Sequence, residues 1–103
     1  MIIIRVTENK EGLLTKFVVS GHSGSAEHGH DLVCSAISSI TFGLANAVDE
    51  LIQESEIEID ENKITISIPH PNKNTEFVMR TGLIQLNTVE ESYSQYVKIK
   101  MEV

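Results

Sequence analysis

The sequence predicts a small α+β domain: a mainly antiparallel sheet carrying two helices, in the order ββαββαβ. Three observations carry this. Five short stretches alternate apolar and polar residues, the period of two that a half-buried strand requires. Two longer stretches repeat apolar residues at spacings of three and four, which is one face of a helix. Each helix has a single apolar stripe, so each should cover a sheet face.

The elements follow in order. Met1 to Thr7 alternates through Ile2, Ile4 and Val6 and reads as a strand. Glu8 to Gly12 is a polar turn, and Leu13 to Ser20 a second strand. Phe17 and Val19 fall on one face of it, Leu14 and Val18 on the other. The short polar link makes the pair an antiparallel hairpin. The first helix is expected from about Leu32 to about Glu54. Its stripe is Val33, Ala36, Ile37, Ile40, Leu44, Ala47, Val48 and Leu51. Cys34 borders that stripe, with Ser38, Thr41 and Ala45 below it. Small residues there permit either a substrate strand or tight packing on the sheet.

Ile57 and Ile59 alternate with carboxylates before a turn at Asp60 to Lys63. Ile64, Ile66 and Ile68 then alternate with Thr65 and Ser67, giving a second hairpin. Pro69-His70-Pro71-Asn72 ends it, because proline cannot continue a ladder. The second helix runs from about Thr75 to Ser92. Met79, Gly82, Leu83, Leu86, Val89 and Tyr93 form its buried stripe. Gly82 costs helix stability, about 1 kcal/mol against alanine, so a close contact is expected there. Val97, Ile99, Met101 and Val103 alternate with Lys98, Lys100 and Glu102 in a last strand. Which strands are neighbours is not legible.

At 103 residues the chain fits one domain, residues 1–103, with a modest core. The formal charge of −7 argues against direct nucleic-acid binding, which needs clustered Lys and Arg. It suits a basic protein partner, and equally an acidic surface that simply keeps a small protein soluble. One cysteine excludes an intramolecular disulfide and suits a reducing cytoplasm. The apolar start, Met1 to Ile4, is too short for a signal peptide or a membrane span.

The chemistry concentrates in Gly21 to Ser38, GHSGSAEHGHDLVCSAIS. It holds the only cysteine, Cys34, and the histidines His22, His28 and His30. Gly21, Gly24 and Gly29, with Ser23 and Ser25, read as an irregular loop. Asp31 looks like a helix N-cap, which would place Cys34 in the first turn. Free backbone N–H groups and the helix dipole favour a thiolate there. His22 lies where a strand ends, and the loop can fold back to bring its imidazole to the sulfur. A cysteine with a nearby base is the layout of a thiol nucleophile.

Blander readings stand beside this one. A lone cysteine in a small protein is usually a buried hydrophobe. His28, His30 and His70 read as solvated surface residues, although the first two could help bind substrate. Asp31 is either a cap or the group that orients His22. His22, His28, His30 and Cys34 could hold zinc, but H-x5-H-x-H-x3-C matches no common finger spacing. A non-catalytic adaptor with a buried Cys34, acting on an assembly partner, is a third reading.

The pattern G-H-x-G-x-A-x-x-G-x-D-x-V-C-x-A-x-S resembles the signature of the ribosomal-processing cysteine proteases, a small bacterial family. Gly21, His22, Gly24, Ala26, Gly29, Asp31, Val33, Cys34, Ala36 and Ser38 meet it. Ser35 stands where the family often has alanine, and Ile37 is bulkier than in many members. The resemblance implies that His22 and Cys34 are the catalytic pair. It implies a cytoplasmic homodimer that removes an N-terminal extension from a large-subunit ribosomal protein. It calls for no cofactor and no metal, and the partner would be a basic ribosomal-protein precursor rather than nucleic acid or membrane. On this reading the backbone N–H groups of Cys34 and Ser35 are the candidate oxyanion donors.

Overall fold

A computed structural model describes residues 1–21 and 28–103, with the backbone alone for 28–31. Its elements are β1 (Ile2–Glu8), β2 (Leu14–Ser20), α1 (His28–Leu51), β3 (Glu56–Ile59), β4 (Lys63–Ser67), α2 (Lys73–Ser92) and β5 (Val97–Glu102). The expected order ββαββαβ is the observed one. The strands form one sheet in the order β3-β4-β2-β1-β5. Three of its pairings are antiparallel, and β5 lies parallel to β1.

Alternation builds a two-layer molecule. Ile2, Ile4 and Val6 of β1 are buried with Phe17 and Val19 of β2, Ile66 of β4 and Val97 of β5. They meet Val33, Ile37, Leu44 and Val48 of α1 and Met79, Leu83 and Leu86 of α2 in one cluster. The other sheet face carries Arg5, Lys16, Lys63, Lys98 and Lys100, all exposed.

One detail departs from the alternation read in the sequence. Leu14 is buried on the same side as Phe17. The cause is a register shift at Thr7/Glu8, where Thr7 pairs with Lys16 but Glu8 with Leu14. The extra residue is a bulge, and a bulge turns the side chains beyond it to the opposite face. The Leu14 N–H then donates to Glu76 Oε1 of α2 at 2.7 Å, and Arg80 braces the same carboxylate while donating to the Gly12 carbonyl.

The buried stripe of α1 is rotated from the expected one. Thr41 and Ala45 are inside, whereas Leu51 is exposed. Thr41 and Ala45 therefore serve packing, and the Thr41 hydroxyl is satisfied by donating to the Ile37 carbonyl at 2.7 Å. Leu32–Leu51 is long and apolar enough by composition to cross a membrane, but its buried stripe belongs to this core.

The α2 stripe holds through Met79, Gly82, Leu83 and Leu86, and ends at Tyr93, the exposed C-cap. Asn72 caps the start of α2, accepting from the amides of Asn74 and Thr75. Gly82 meets its expected close contact: a Cβ there would lie 2.5 Å from Leu44 Cδ2. That approach sets how tightly α1 and α2 pack.

Candidate functional site

The site starts from a turn that only glycine fits. Gly21 follows β2 with φ +80°, and a Cβ on it would lie 2.5 Å from the Met1 carbonyl oxygen. The chain thus leaves the sheet with fixed direction just before His22. His22, Ser23, Gly24, Ser25, Ala26 and Glu27 lie outside the described residues, as do the side chains of His28, His30 and Asp31. The pairing of His22 with Cys34 and the four-ligand zinc arrangement fall there too.

The start of α1 differs from the sequence reading. The helix begins at His28, so Gly29 and Asp31 stand inside it rather than in or beside a loop. Asp31 is not placed before the first helical residue, where an N-cap belongs. Cys34 is the seventh helical residue rather than a member of the first turn. The amides of Cys34 and Ser35 lie beyond the four that a helix leaves without a partner. The first described turn of α1 is residues 28–31. Side chains on a helix tilt toward its N-terminus, which leans Cys34 back toward that turn.

Cys34 is a free thiol, half-buried, and packed against the core at one side. Its other side faces a groove of about 290 Å³. Ser38 and Phe42 continue the wall on α1, at i+4 and i+8 from the cysteine, so the three form one line along the helix. Val19 and Gly21 close one end. The opposite wall is the β3–β4 turn, from Ile59 through Asp60, Glu61, Asn62 and Lys63 to Ile64. The Asp60 N–H donates to the Lys63 carbonyl at 2.8 Å and closes that turn.

A half-exposed thiol on a rigid helix, beside an open trough, suits attack on a bond of an extended chain laid in the trough. Phe42 is 44% exposed and Ile59 58%, so both present apolar surface to an occupant. The sequence reading did not find this opposite wall. Phe42 could have been found from its i+8 spacing to Cys34. Residues 59–64 could not, because only the tertiary fold brings them to the helix. His70, expected on the surface, is exposed and lies 3.2 Å from Glu54.

Comparison with known proteins gives the chain a family. The family described as cysteine protease Prp matches residues 1–98. The ribosomal processing cysteine protease Prp of Staphylococcus aureus is 33% identical over 103 residues, covering 96% of this chain and 97% of that protein. The protein of the same name from Mycoplasma genitalium is 34% identical, covering 99% and 97%. The crystal structure of the S. aureus protease with a substrate peptide superposes with a TM-score of 0.89 at 30% identity, covering 99% of this chain and all of that one. A second structure of it, with a covalently linked product peptide, gives 0.86 at 31% over the same shares. A chain matched along nearly its whole length, with a thiol at the rim of a peptide-sized trough, belongs to the Prp family of cysteine proteases.

Proposed function

We propose that this protein is a cysteine endopeptidase that removes the N-terminal extension of a large-subunit ribosomal protein, through a dyad of His22 and Cys34. The observation that carries the reading is the half-buried Cys34 thiol on the wall of a groove open to an extended chain. Relatives named for ribosomal processing support the substrate. A relative caught with a covalently linked product peptide supports a nucleophilic route.

In this mechanism His22 takes the proton of Cys34, or holds the pair as thiolate and imidazolium. The sulfur attacks the scissile carbonyl and forms a tetrahedral oxyanion. His22 then protonates the departing amine, leaving a thioester that water hydrolyses. Backbone amides stabilise the oxyanion. Since Cys34 and Ser35 lie well inside α1, where helical bonds occupy their amides, the oxyanion is assigned to amides nearer the helix start. Asp31 stands three residues before Cys34, about one helical turn. Its assigned role is to orient His22 rather than to cap.

The enzyme works without metal or other cofactor, in the cytoplasm, where a lone thiol stays reduced. It acts on protein and not directly on nucleic acid or membrane. It works as a homodimer. Support for that is a groove of about 840 Å³ between α1 and α2, lined by Ile40, Leu44, Ala47, Leu51, Val78 and Val89. Phe77 and Ile84 are exposed on the same helix layer.

Incubation with the ribosomal precursor, followed by weighing the products, tests the reading. One cut near the N-terminus is expected, absent with Cys34→Ala. Cleavage by Cys34→Ala at the wild-type rate overturns it.

A further inference from the structure

The two edges of the sheet are dressed differently. On β5, Lys98 and Lys100 are followed by Glu102, which lies 3.6 Å from Arg5 of β1. On β3 and its flanks the charge has one sign: Glu54, Glu56, Glu58, Asp60 and Glu61 crowd into eight residues. β3 pairs with β4 on one side and is the last strand of the sheet. Among the described residues no strand covers its other edge.

The pleat sorts these side chains. Glu56 pairs with Ser67 and Glu58 with Thr65, so both carboxylates stand on the open sheet face. Ile57 and Ile59 point to the helix side. Ile57 packs against the core, but Ile59 stays largely exposed and lines the Cys34 groove. Asp60 and Glu61 line it as well. The edge of β3 therefore runs directly into the groove that holds the thiol.

We propose that this edge is an exosite, which takes an extended basic stretch of the substrate polypeptide as a sixth strand beside the scissile bond. The proposal rests on the protease reading above. An added strand lies about 4.8 Å away, and its alternate side chains fall beside Glu56 and Glu58. The recognised feature is Lys or Arg at every second position, with apolar residues between them turned toward Ile59. The strand's main-chain groups bond to the free edge, and the carboxylates set the charge preference.

A guard against aggregation would also place charge on an edge strand. A guard needs one or two charges. Five of one sign repel each other, and a cationic strand relieves that cost. Nearby cations offset this field in part. Lys63 opens β4 across from Asp60, without an ion pair to a β3 carboxylate among the described residues, and Lys16 stands two strands away. Among the described residues His70 pairs with Glu54.

The test uses peptides sharing one scissile sequence. Some carry Lys at alternate positions before or after the bond, and one carries Gln there instead. Wild type should cleave at least one basic peptide about tenfold better than the neutral one at low salt, through KM. The preference should shrink as salt rises. Glu56→Gln with Glu58→Gln should erase it and leave the neutral peptide's kinetics unchanged. N-methylation of alternate amides in the favoured basic stretch should also erase it.

Equal cleavage of basic and neutral peptides overturns the proposal. So does a preference that survives N-methylation, which would mean charge steering without strand pairing. Association of the Gln variant beyond the oligomeric state of the wild type, with peptide preference unchanged, would make the carboxylates a guard only. If wild type cleaves no peptide, the protease reading fails by itself. Binding of the basic, neutral and N-methylated peptides to Cys34→Ala then decides the exosite by the same comparisons.

Discussion

The two sides of α1 show how one helix divides structural and chemical work. Toward α2 it presents Leu44, whose methyl groups fill the place where Gly82 has no side chain. Toward the β3–β4 turn it presents Cys34, Ser38 and Phe42 along an open trough. The first side is closed at that contact and intolerant of volume there, with the interhelical groove opening beside it. The second is open, and its residues carry little of the core. Changes on the two sides should therefore separate cleanly into losses of activity and losses of stability.

The largest effect belongs to the open side. Cys34→Ala should lower kcat by about 10³-fold or more in a peptide assay. The thermal midpoint should move little, because Cys34 is only half-buried. His22→Ala should cost about 10²- to 10⁴-fold, the range of a lost general base. Near-normal turnover by either variant breaks the division.

On the closed side, Gly82→Val should destabilise by about 2 kcal/mol through overpacking against Leu44. Urea unfolding measures it, and activity per folded molecule should hold. Glu76→Ala removes the acceptor of the Leu14 amide and the partner of Arg80. It should cost about 1–2 kcal/mol, again without changing kcat. A kcat loss in either variant would mean that the scaffold side feeds into the chemistry.

The smallest effect sharpens the comparison most. Phe42 is exposed, so Phe42→Ala should shift stability by less than about 0.5 kcal/mol. It should still raise KM about fivefold, since apolar groove surface is lost. A stability loss without a KM change would move Phe42 from the open side to the closed one.

Most of the fold was legible because its periods are clean. Ile64, Ile66 and Ile68 admit little but a strand, and Met79, Gly82, Leu83 and Leu86 little but a helix face. Leu14 was misplaced because a one-residue bulge reverses facing without changing composition. The stripe on α1 was misread because further apolar residues, Leu32, Phe42 and Leu51, lie outside the buried face of that helix. Pattern then does not say which residues turn inward, and Thr41 and Ala45 went in while Leu51 stayed out.

Asp31 looked like a cap because it precedes an apolar run, yet the helix continues back to His28. His22 and Cys34 stood out through residue type and spacing. The wall facing Cys34 did not, since residues 59–64 reach it only after two hairpins and a long helix are in place. Sheet order was closed to inspection for the same reason.

The parallel pairing of β1 with β5 has a consequence for folding. β1 sits between β2 and β5, with Ile2 opposite Val97. That contact joins residues far apart in sequence, the kind of closure that slows folding. Until β5 docks, β1 has one bare edge, and the apolar seat of Val97 is empty. The hairpins are local and can form early, whereas the full core comes only with this closure. The thiol on α1 then gains its stable scaffold in the last step of folding and not before.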